Sequence, residues 1–310
     1  MKKTKMLVPI LASALLPFSV TMPVLAAEGE AVEVEEVVEE EAVEAEDSSA
    51  LLAVLDAYGL TTEDIQFVAN ILKQYNEGQT NLGLVDEDYY GLELKLAKMG
   101  ADTGNGDLAL WVGEIYQGGH VEGLSEAESV QEAVNWWEKA ASLGVARGLT
   151  NIGLLYEHSS VPGGGELFGD IEVDMEKAAE YLIQADELGD MKAPRYLGFL
   201  YESTEDYESA LTYFLKAADS GDISAQYYAG QYYLEGKGTD VDYEKALSYL
   251  NEAASSEKVV PGVANAQYSM GQIFENGYGV DVDVETAKQW YETAAENGSE
   301  EAAAALENLQ

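Results

Sequence analysis

The stretch AQYYAGQYYLEGKGTDVDYEKALSYLNEAA (residues 225–254) decides the fold class, because it contains one complete helix-turn-helix unit. Its first half carries a glycine, Gly230, followed three positions later by an aromatic residue, Tyr233. Its second half begins after Asp242 and places apolar residues three or four positions apart, which is the spacing of one helix face. The pattern predicts two short helices that are joined by a glycine-containing turn and pack against each other.

The phrase made of a glycine and a later aromatic residue recurs, which indicates a repeat protein. Its glycines are separated by 40, 45, 32 and 41 residues, and they are Gly113, Gly153, Gly198, Gly230 and Gly271. Because glycine has no side chain, we expect the second helix of each unit to approach the first helix closely at this position.

A second apolar helix is predicted after each copy of this phrase, within residues 131–144, 176–189, 208–221, 244–257 and 285–298. A side-chain oxygen ahead of each helix can accept a backbone N–H of its first turn, and the predicted N-caps are Ser129, Asp174, Asp206, Asp242 and Asp283. Four of the helices are followed by a glycine that suits a left-handed backbone, namely Gly144, Gly189, Gly221 and Gly298. Stacking such pairs buries a continuous core. The predicted fold is therefore all-α, an α/α superhelix (solenoid) of tandem helix-turn-helix repeats.

The repeat sequence resembles a known family. Residues 225–254 and 266–298 (AQYSMGQIFENGYGVDVDVETAKQWYETAAENG) are similar to the Sel-one-like repeat (SLR), a relative of the tetratricopeptide repeat. The resemblance covers about residues 100–310, and it implies a scaffold for protein or peptide partners. The unit around Gly198 departs from the pattern because it lacks the Gly-x-Gly turn, and the unit around Gly153 carries an extended loop at 159–173.

The N-terminal segment has the features of an export signal. Three lysines precede an apolar run, and small residues follow at Ala26 and Ala27, so residues 1–27 are predicted to be a signal peptide cleaved after one of these alanines. Residues 28–47 contain eleven acidic residues and no basic residue, which predicts an acidic disordered linker. The expected location is outside the cytoplasm, either secreted or in the cell envelope (periplasm or cell surface).

The remaining chain divides into a central repeat array with a cap at each end. Residues 48–100 are predicted to form degenerate N-terminal capping helices, with helices at 64–75 and 89–100. Five repeats occupy 101–298, and 299–310 are predicted to form a C-terminal capping helix. These segments leave no further apolar stretch that is long enough to span a bilayer, so we expect no stable membrane insertion after signal cleavage.

Composition excludes several classes of protein. The 310 residues include 58 acidic, 16 basic and two histidine side chains and no cysteine, with a net charge of −42. Nucleic acid is excluded as a partner because phosphate binding requires a basic face. Disulfides and thiol catalysis are excluded because both require cysteine. The negative charge favours a protein or peptide partner of basic character.

The resemblance to tetratricopeptide repeats also implies which residues line a binding groove. In that arrangement, the residues three before and one after each repeat glycine face the concave side. The corresponding positions are Leu110, Glu114, Thr150, Leu154, Arg195, Phe199, Tyr227, Gln231, Tyr268 and Gln272. Aromatic residues, amides and an isolated arginine suit peptide recognition. We predict no catalytic residue, cofactor site or metal site.

Two alternatives stay open at this point. Abundant carboxylates would suit a carboxylate-dependent hydrolase that acts on cell-wall material, a role suggested for some exported relatives. The sequences Asp240-Val-Asp242 and Asp281-Val-Asp283 resemble the start of a calcium loop, which would suit a calcium-dependent adhesion protein. Helix capping explains Asp242 and Asp283 equally well. His120 and His158 are interpreted as solvated residues near helix ends.

Overall fold

The computed structural model describes residues 58–61, 64, 86–119, 121–158, 172–258 and 260–309. Within these ranges, the backbone forms helices and connecting loops and no strand. The chain separates into two compact units, Met1–Glu172 and Val173–Gln310. The predicted signal peptide and acidic linker, His120 and most of the extended loop at 159–173 lie outside the described residues.

The described part of the first unit is a series of helices that pack in chain order. Helix α1 packs on α2, α2 on α3, and α3 on α4. Their bounds are α1 Asp86–Asp102, α2 Gly106–Gln117, α3 Glu126–Ser142 and α4 Arg147–His158. Helix α1 covers the helix predicted at 89–100 and extends it at both ends. The other predicted capping helix, at 64–75, lies outside the described residues except for Asp64.

The second unit continues the same hairpin pattern. Each helix packs on the next one, and α8 also packs on α10, so the first helices of successive hairpins lie side by side. The bounds are α5 Met175–Glu187, α6 Ala193–Ser203, α7 Tyr207–Asp219, α8 Ile223–Glu235, α9 Tyr243–Ala254, α10 Pro261–Asn276, α11 Val284–Glu296 and α12 Glu300–Asn308. None of the helices in the described ranges is both long enough and apolar enough to cross a membrane. These tandem hairpins confirm the predicted all-α solenoid class.

A large side chain of the second helix lies directly over the repeat glycine. A Cβ atom on that glycine would lie only 2.4–2.5 Å from this side chain, so no larger residue fits without movement. The pairs are Gly113 with Trp137, Gly198 with Phe214, Gly230 with Leu250, and Gly271 with Tyr291. The predicted close approach is confirmed at these four positions, and each of the four large side chains is fully buried.

Helix capping follows the sequence prediction at four of five positions. The carboxylates of these caps accept the backbone N–H three residues later, at 3.0–3.2 Å, and the caps are Asp174, Asp206, Asp242 and Asp283. The predicted left-handed glycines are also confirmed, with φ between 83° and 97° at Gly144, Gly189, Gly221 and Gly298. Where the Gly-x-Gly turn is missing, Glu205 adopts a left-handed backbone instead, with φ of 63°.

The predicted N-cap Ser129 is wrong. Helix α3 begins one turn earlier, at Glu126, and its N-cap is Ser125. The Ser125 hydroxyl accepts the Glu128 N–H, and the Glu128 carboxylate accepts the Ser125 N–H, so the two residues form a capping box. Ser129 is a buried residue inside the helix. Both serines are followed three positions later by glutamate, and the earlier start adds one more turn of helical hydrogen bonds.

We therefore expect Ser125→Ala to lower the free energy of unfolding by about 1 kcal/mol, because the first turn of α3 loses its capping acceptor. The control is Ser129→Ala, which leaves the cap intact and places a better helix former inside the helix. Urea denaturation followed by far-ultraviolet circular dichroism measures both variants. A larger loss of stability for Ser129→Ala than for Ser125→Ala would contradict the observed start of the helix.

Candidate binding surface

The predicted groove residues of the second unit lie on three first helices, α6, α8 and α10. They are Arg195, Phe199, Tyr227, Gln231, Tyr268 and Gln272, and we refer to them as the groove set. Each member is partly exposed. The Gln231 Nε2 donates a hydrogen bond of 2.5 Å to the Ser269 hydroxyl, which links α8 directly to α10. The structure therefore brings members of the groove set from adjacent hairpins onto neighbouring helices.

Aromatic contacts hold the rings of the groove set in fixed positions. The rings of Phe199 and Tyr228 pack edge-to-face with their centres 4.9 Å apart, and the centres of the Tyr227 and Tyr228 rings are 5.1 Å apart. Tyr268 lies 5.5 Å from the buried ring of Tyr291. Each of these rings packs on one side against the core and keeps part of its surface open to solvent. Such preorganised aromatic residues lose little side-chain entropy when a partner binds.

The polar members of the groove set have different hydrogen-bond partners. The Gln272 Nε2 donates to the Tyr268 hydroxyl at 3.1 Å. The Arg195 guanidinium donates to the Asp222 carboxylate at 3.0 Å and lies 5.0 Å from the centre of the Tyr196 ring. The sequence interpretation of Arg195 as an isolated cation is therefore wrong, because Asp222 neutralises it.

The electrostatic environment of the groove set is acidic. Burial raises the pKa of Tyr227, and the neighbouring groups Tyr228, Glu235 and Glu301 raise it further. Between residues 173 and 310 the sequence has 27 acidic and eight basic residues, a net charge of −19. Since Asp222 neutralises Arg195, the groove set offers no unpaired cation. The excess of carboxylates gives the surface of this unit a negative electrostatic potential.

Two of the four predicted groove residues of the first unit are buried. Thr150 and Leu154 on α4 are 0% and 1% exposed, so neither can contact a partner in this structure. Leu110 and Glu114 on α2 are partly exposed. Burial raises the pKa of the Glu114 carboxyl, and the charge of Arg147 opposes this effect. The described surface thus supports a groove in the second unit more strongly than in the first.

Sequence reasoning missed a set of contacts between lysines and aromatic rings. In each one, the Nζ atom lies 4.4–4.9 Å from a ring centre, and the pairs are Lys98 with Tyr116, Lys139 with Trp136, Lys237 with Tyr207, and Lys245 with Tyr233. Such contacts are attractive because the ring face is electron-rich. The feature of the sequence that indicated such a contact was Lys237, which lies between two turn glycines in the sequence GKG.

The carboxylates of the calcium-like sequences have a structural role. The Asp242 and Asp283 carboxylates accept backbone N–H groups from Lys245 and Thr286, and these hydrogen bonds hold both pKa values below the ordinary range. Among the described residues, no group of three or more histidine, cysteine, aspartate or glutamate side chains is placed to bind a metal ion. Neither the hydrolase nor the calcium-dependent adhesion alternative has a specific observation in its favour.

Comparison with known proteins agrees with this hairpin architecture. The model of the Sel1 repeat family matches five segments, which together make up more than half of the chain, at residues 107–145, 147–190, 196–222, 223–257 and 264–299. A comparison with curated proteins gave no significant match.

Solved structures similar to this chain include two that match it over most of its length. The first is a protective antigen of uropathogenic Escherichia coli with an SLR fold, at 25% identity and a TM-score of 0.57 over 84% of this chain. The chain spans 55% of the length of that protein. The second is a Sel1 repeat protein from Oxalobacter formigenes, at 24% identity and a TM-score of 0.56, covering 74% of this chain and 85% of the other. Both matches concern proteins with the same kind of fold.

Proposed function

The chain belongs to the Sel1 repeat family, and from this membership we propose that it is an exported scaffold that binds a protein or peptide through the groove set and catalyses no reaction. Sel1 repeat proteins typically mediate protein–protein interactions and are generally non-catalytic. The observation that carries the proposal is the row of partly exposed rings on α6, α8 and α10, with amide side chains beside them. Rigid aromatic residues anchor a partner, and amides pair with its backbone.

The proposed partner is a basic polypeptide. The acidic surroundings of Tyr227 and the net charge of the second unit would repel an acidic segment and attract a basic one. Because salt screens such attraction beyond about 10 Å at 0.1 M ionic strength, the association rate should fall as ionic strength rises. The proposed site requires no metal ion or cofactor.

The proposed location is outside the cytoplasm, in the periplasm, at the cell surface or in the medium. Sel1 repeat proteins are often exported. The sequence of residues 1–27 supports the same route for this chain. Residues 28–47 would then separate the repeats from the surface of the membrane or wall.

The test of the groove is the double variant Tyr227→Ala/Tyr268→Ala. We expect it to remain helical by circular dichroism and to bind its partner at least about tenfold more weakly, since truncating each aromatic anchor costs more than about 1 kcal/mol. The partner is first captured from envelope and host extracts on the immobilised wild-type chain. It is then purified, and its affinity for each variant is measured by calorimetry.

The matched control is Leu188→Ala/Met191→Ala. These two apolar side chains are 60% and 66% exposed and belong to the connection between α5 and α6, outside the groove set. We expect this control to bind like the wild type. Equal affinity of the tyrosine variant and the wild type, with both folded, would contradict the groove proposal.

A further inference from the structure

The loops at 236–242 and 277–283 join the two helices of the last two hairpins, and each loop is seated on the preceding hairpin. Both loops contain two left-handed glycines, with φ between 68° and 75°. A Cβ atom on Gly238 would lie 2.3 Å from the Tyr207 backbone oxygen, and one on Gly279 would lie 2.5 Å from the Tyr243 Cβ. The residue between the two glycines is therefore held over the first residue of the preceding second helix, which is Tyr207 on α7 and Tyr243 on α9.

We call the contact between each loop and the preceding hairpin a junction. At the first junction, Lys237 of the loop is bound by side chains of the chain itself. The Lys237 Nζ lies 4.5 Å from the centre of the Tyr207 ring and 4.9 Å from that of Tyr232. It also donates to the Glu202 carboxylate at 2.6 Å. An ammonium group is thus held by aromatic faces and a carboxylate, a combination that favours a cation.

At the second junction, a tyrosine takes the place of the lysine. Tyr278 stacks on Tyr243 with ring centres 5.6 Å apart and an angle of 20° between the planes. Each of the two side chains is 37% exposed, and Val241 and Val282 of the same two loops are 50% and 61% exposed. No lysine or arginine within the described ranges lies over either ring. We refer to this pair of stacked rings as the tyrosine edge.

The charges around the tyrosine edge are almost all negative. Five exposed carboxylates lie in the two loops and the first turns that follow them, on Asp240, Glu244, Asp281, Asp283 and Glu285. The two lysines of these segments have other contacts: Lys237 is bound to Glu202 and lies over Tyr207, and Lys245 is ion-paired with Asp242 at 3.4 Å and lies over Tyr233. Five other rings have a lysine of the chain over them, namely Tyr116, Trp136, Tyr207, Tyr232 and Tyr233, whereas none of the described lysines lies over this exposed pair.

We propose that the tyrosine edge binds a lysine or arginine side chain of a basic protein segment on the solvent-exposed faces of its two stacked rings. The stacked rings supply the face for the cation, and the surrounding carboxylates supply the complementary charge. The valines would cover the aliphatic part of the bound side chain. This surface lies on the turns of the hairpins and is separate from the groove set, so its test is independent of the function proposed above.

The test uses a fluorescein-labelled eight-residue peptide of alternating lysine and glycine, whose binding to the full chain is followed by fluorescence anisotropy at low and high salt. Tyr278→Lys places an ammonium group of the chain itself near the Tyr243 ring, as Lys237 lies near the Tyr207 ring, and this group competes with the peptide. Tyr278→Leu removes the aromatic face without changing the charge. We expect each variant to raise the dissociation constant at least about fivefold. Tyr278→Phe, which keeps the ring, should bind like the wild type.

Two controls separate the tyrosine edge from the general negative field and from other exposed apolar side chains. Leu188→Lys adds the same charge at a distant exposed position and should change the dissociation constant less than about twofold. Leu188→Ala/Met191→Ala changes two exposed apolar side chains that belong to neither surface, and it should bind the peptide like the wild type. Wild-type affinity in Tyr278→Leu, an equal loss in Leu188→Lys and Tyr278→Lys, or no binding by the wild type would overturn the proposal.

Discussion

Gly148→Ala is expected to lower the free energy of unfolding by about 3 kcal/mol. An added Cβ atom would lie 2.2 Å from the backbone oxygen of Trp137 and 2.9 Å from its carbonyl carbon. A side chain can turn aside from such a contact, whereas the backbone of α3 can yield only if the whole helix moves away from α4. Trp137 is 0% exposed, so this movement would also disturb the packing of the first unit.

Gly91→Ala provides the matched control. Gly91 is an exposed helical glycine of α1 with no heavy atom within 4 Å of an added Cβ. The same change there should raise the stability by about 0.5–1 kcal/mol, because alanine is the better helix former. Both variants are measured by urea denaturation with circular dichroism. Similar effects of the two changes would mean that close packing of α3 against α4 does not contribute to stability.

The sequence predicted which glycines lie at close contacts between helices, but it did not predict which residue packs against each glycine. A small residue stands five positions before four of the five repeat glycines, and Gly148 is one of these small residues. The structure adds that Trp137 is the neighbour of two glycines, with its side chain against Gly113 and its backbone against Gly148. Periodicity fixes the face of a helix on which a residue lies, and only the packed structure fixes its neighbour on the next helix.

For the predicted groove residues, too, the sequence predicted positions on a helix but not burial or contact partners. The resemblance to tetratricopeptide repeats implied that ten residues lie on one face of the first helices, and it could not show that Thr150 and Leu154 are buried. It also treated Arg195 as isolated. Its partner Asp222 was difficult to recognise, because this residue is also the N-cap of α8, where its other carboxylate oxygen accepts a backbone N–H.

The second large effect is expected at Phe214. Phe214→Ala should lower the free energy of unfolding by about 3–5 kcal/mol, because it leaves a cavity in the middle of the second unit. The Phe214 ring is 0% exposed. Its centre lies 5.1–5.5 Å from the ring centres of Phe199, Tyr228 and Tyr232. Loss of the ring therefore removes aromatic contacts as well as apolar burial.

A double-mutant cycle with Gly198→Ala tests whether the ring of Phe214 and the missing side chain of Gly198 form one packing unit. Alone, Gly198→Ala should cost about 1–3 kcal/mol, because its Cβ would lie 2.5 Å from the Phe214 ring. Once Phe214 is alanine, that clash is gone and the new methyl group occupies part of the cavity. The double variant should thus be at least as stable as Phe214→Ala, which requires a coupling energy of at least about 1 kcal/mol.

Thermal and urea denaturation of the four members of the cycle give this coupling directly. Tyr213→Ala is a control for the second position, because Tyr213 lies on the same helix, α7, and stacks on Tyr201 at 5.5 Å rather than packing over the glycine. Gly198→Ala should cost the same in the Tyr213→Ala background as in the wild type. Additive losses for the pair Gly198 and Phe214 would show that α6 and α7 approach each other for a reason other than the missing side chain, and would remove the physical basis of the repeat pattern.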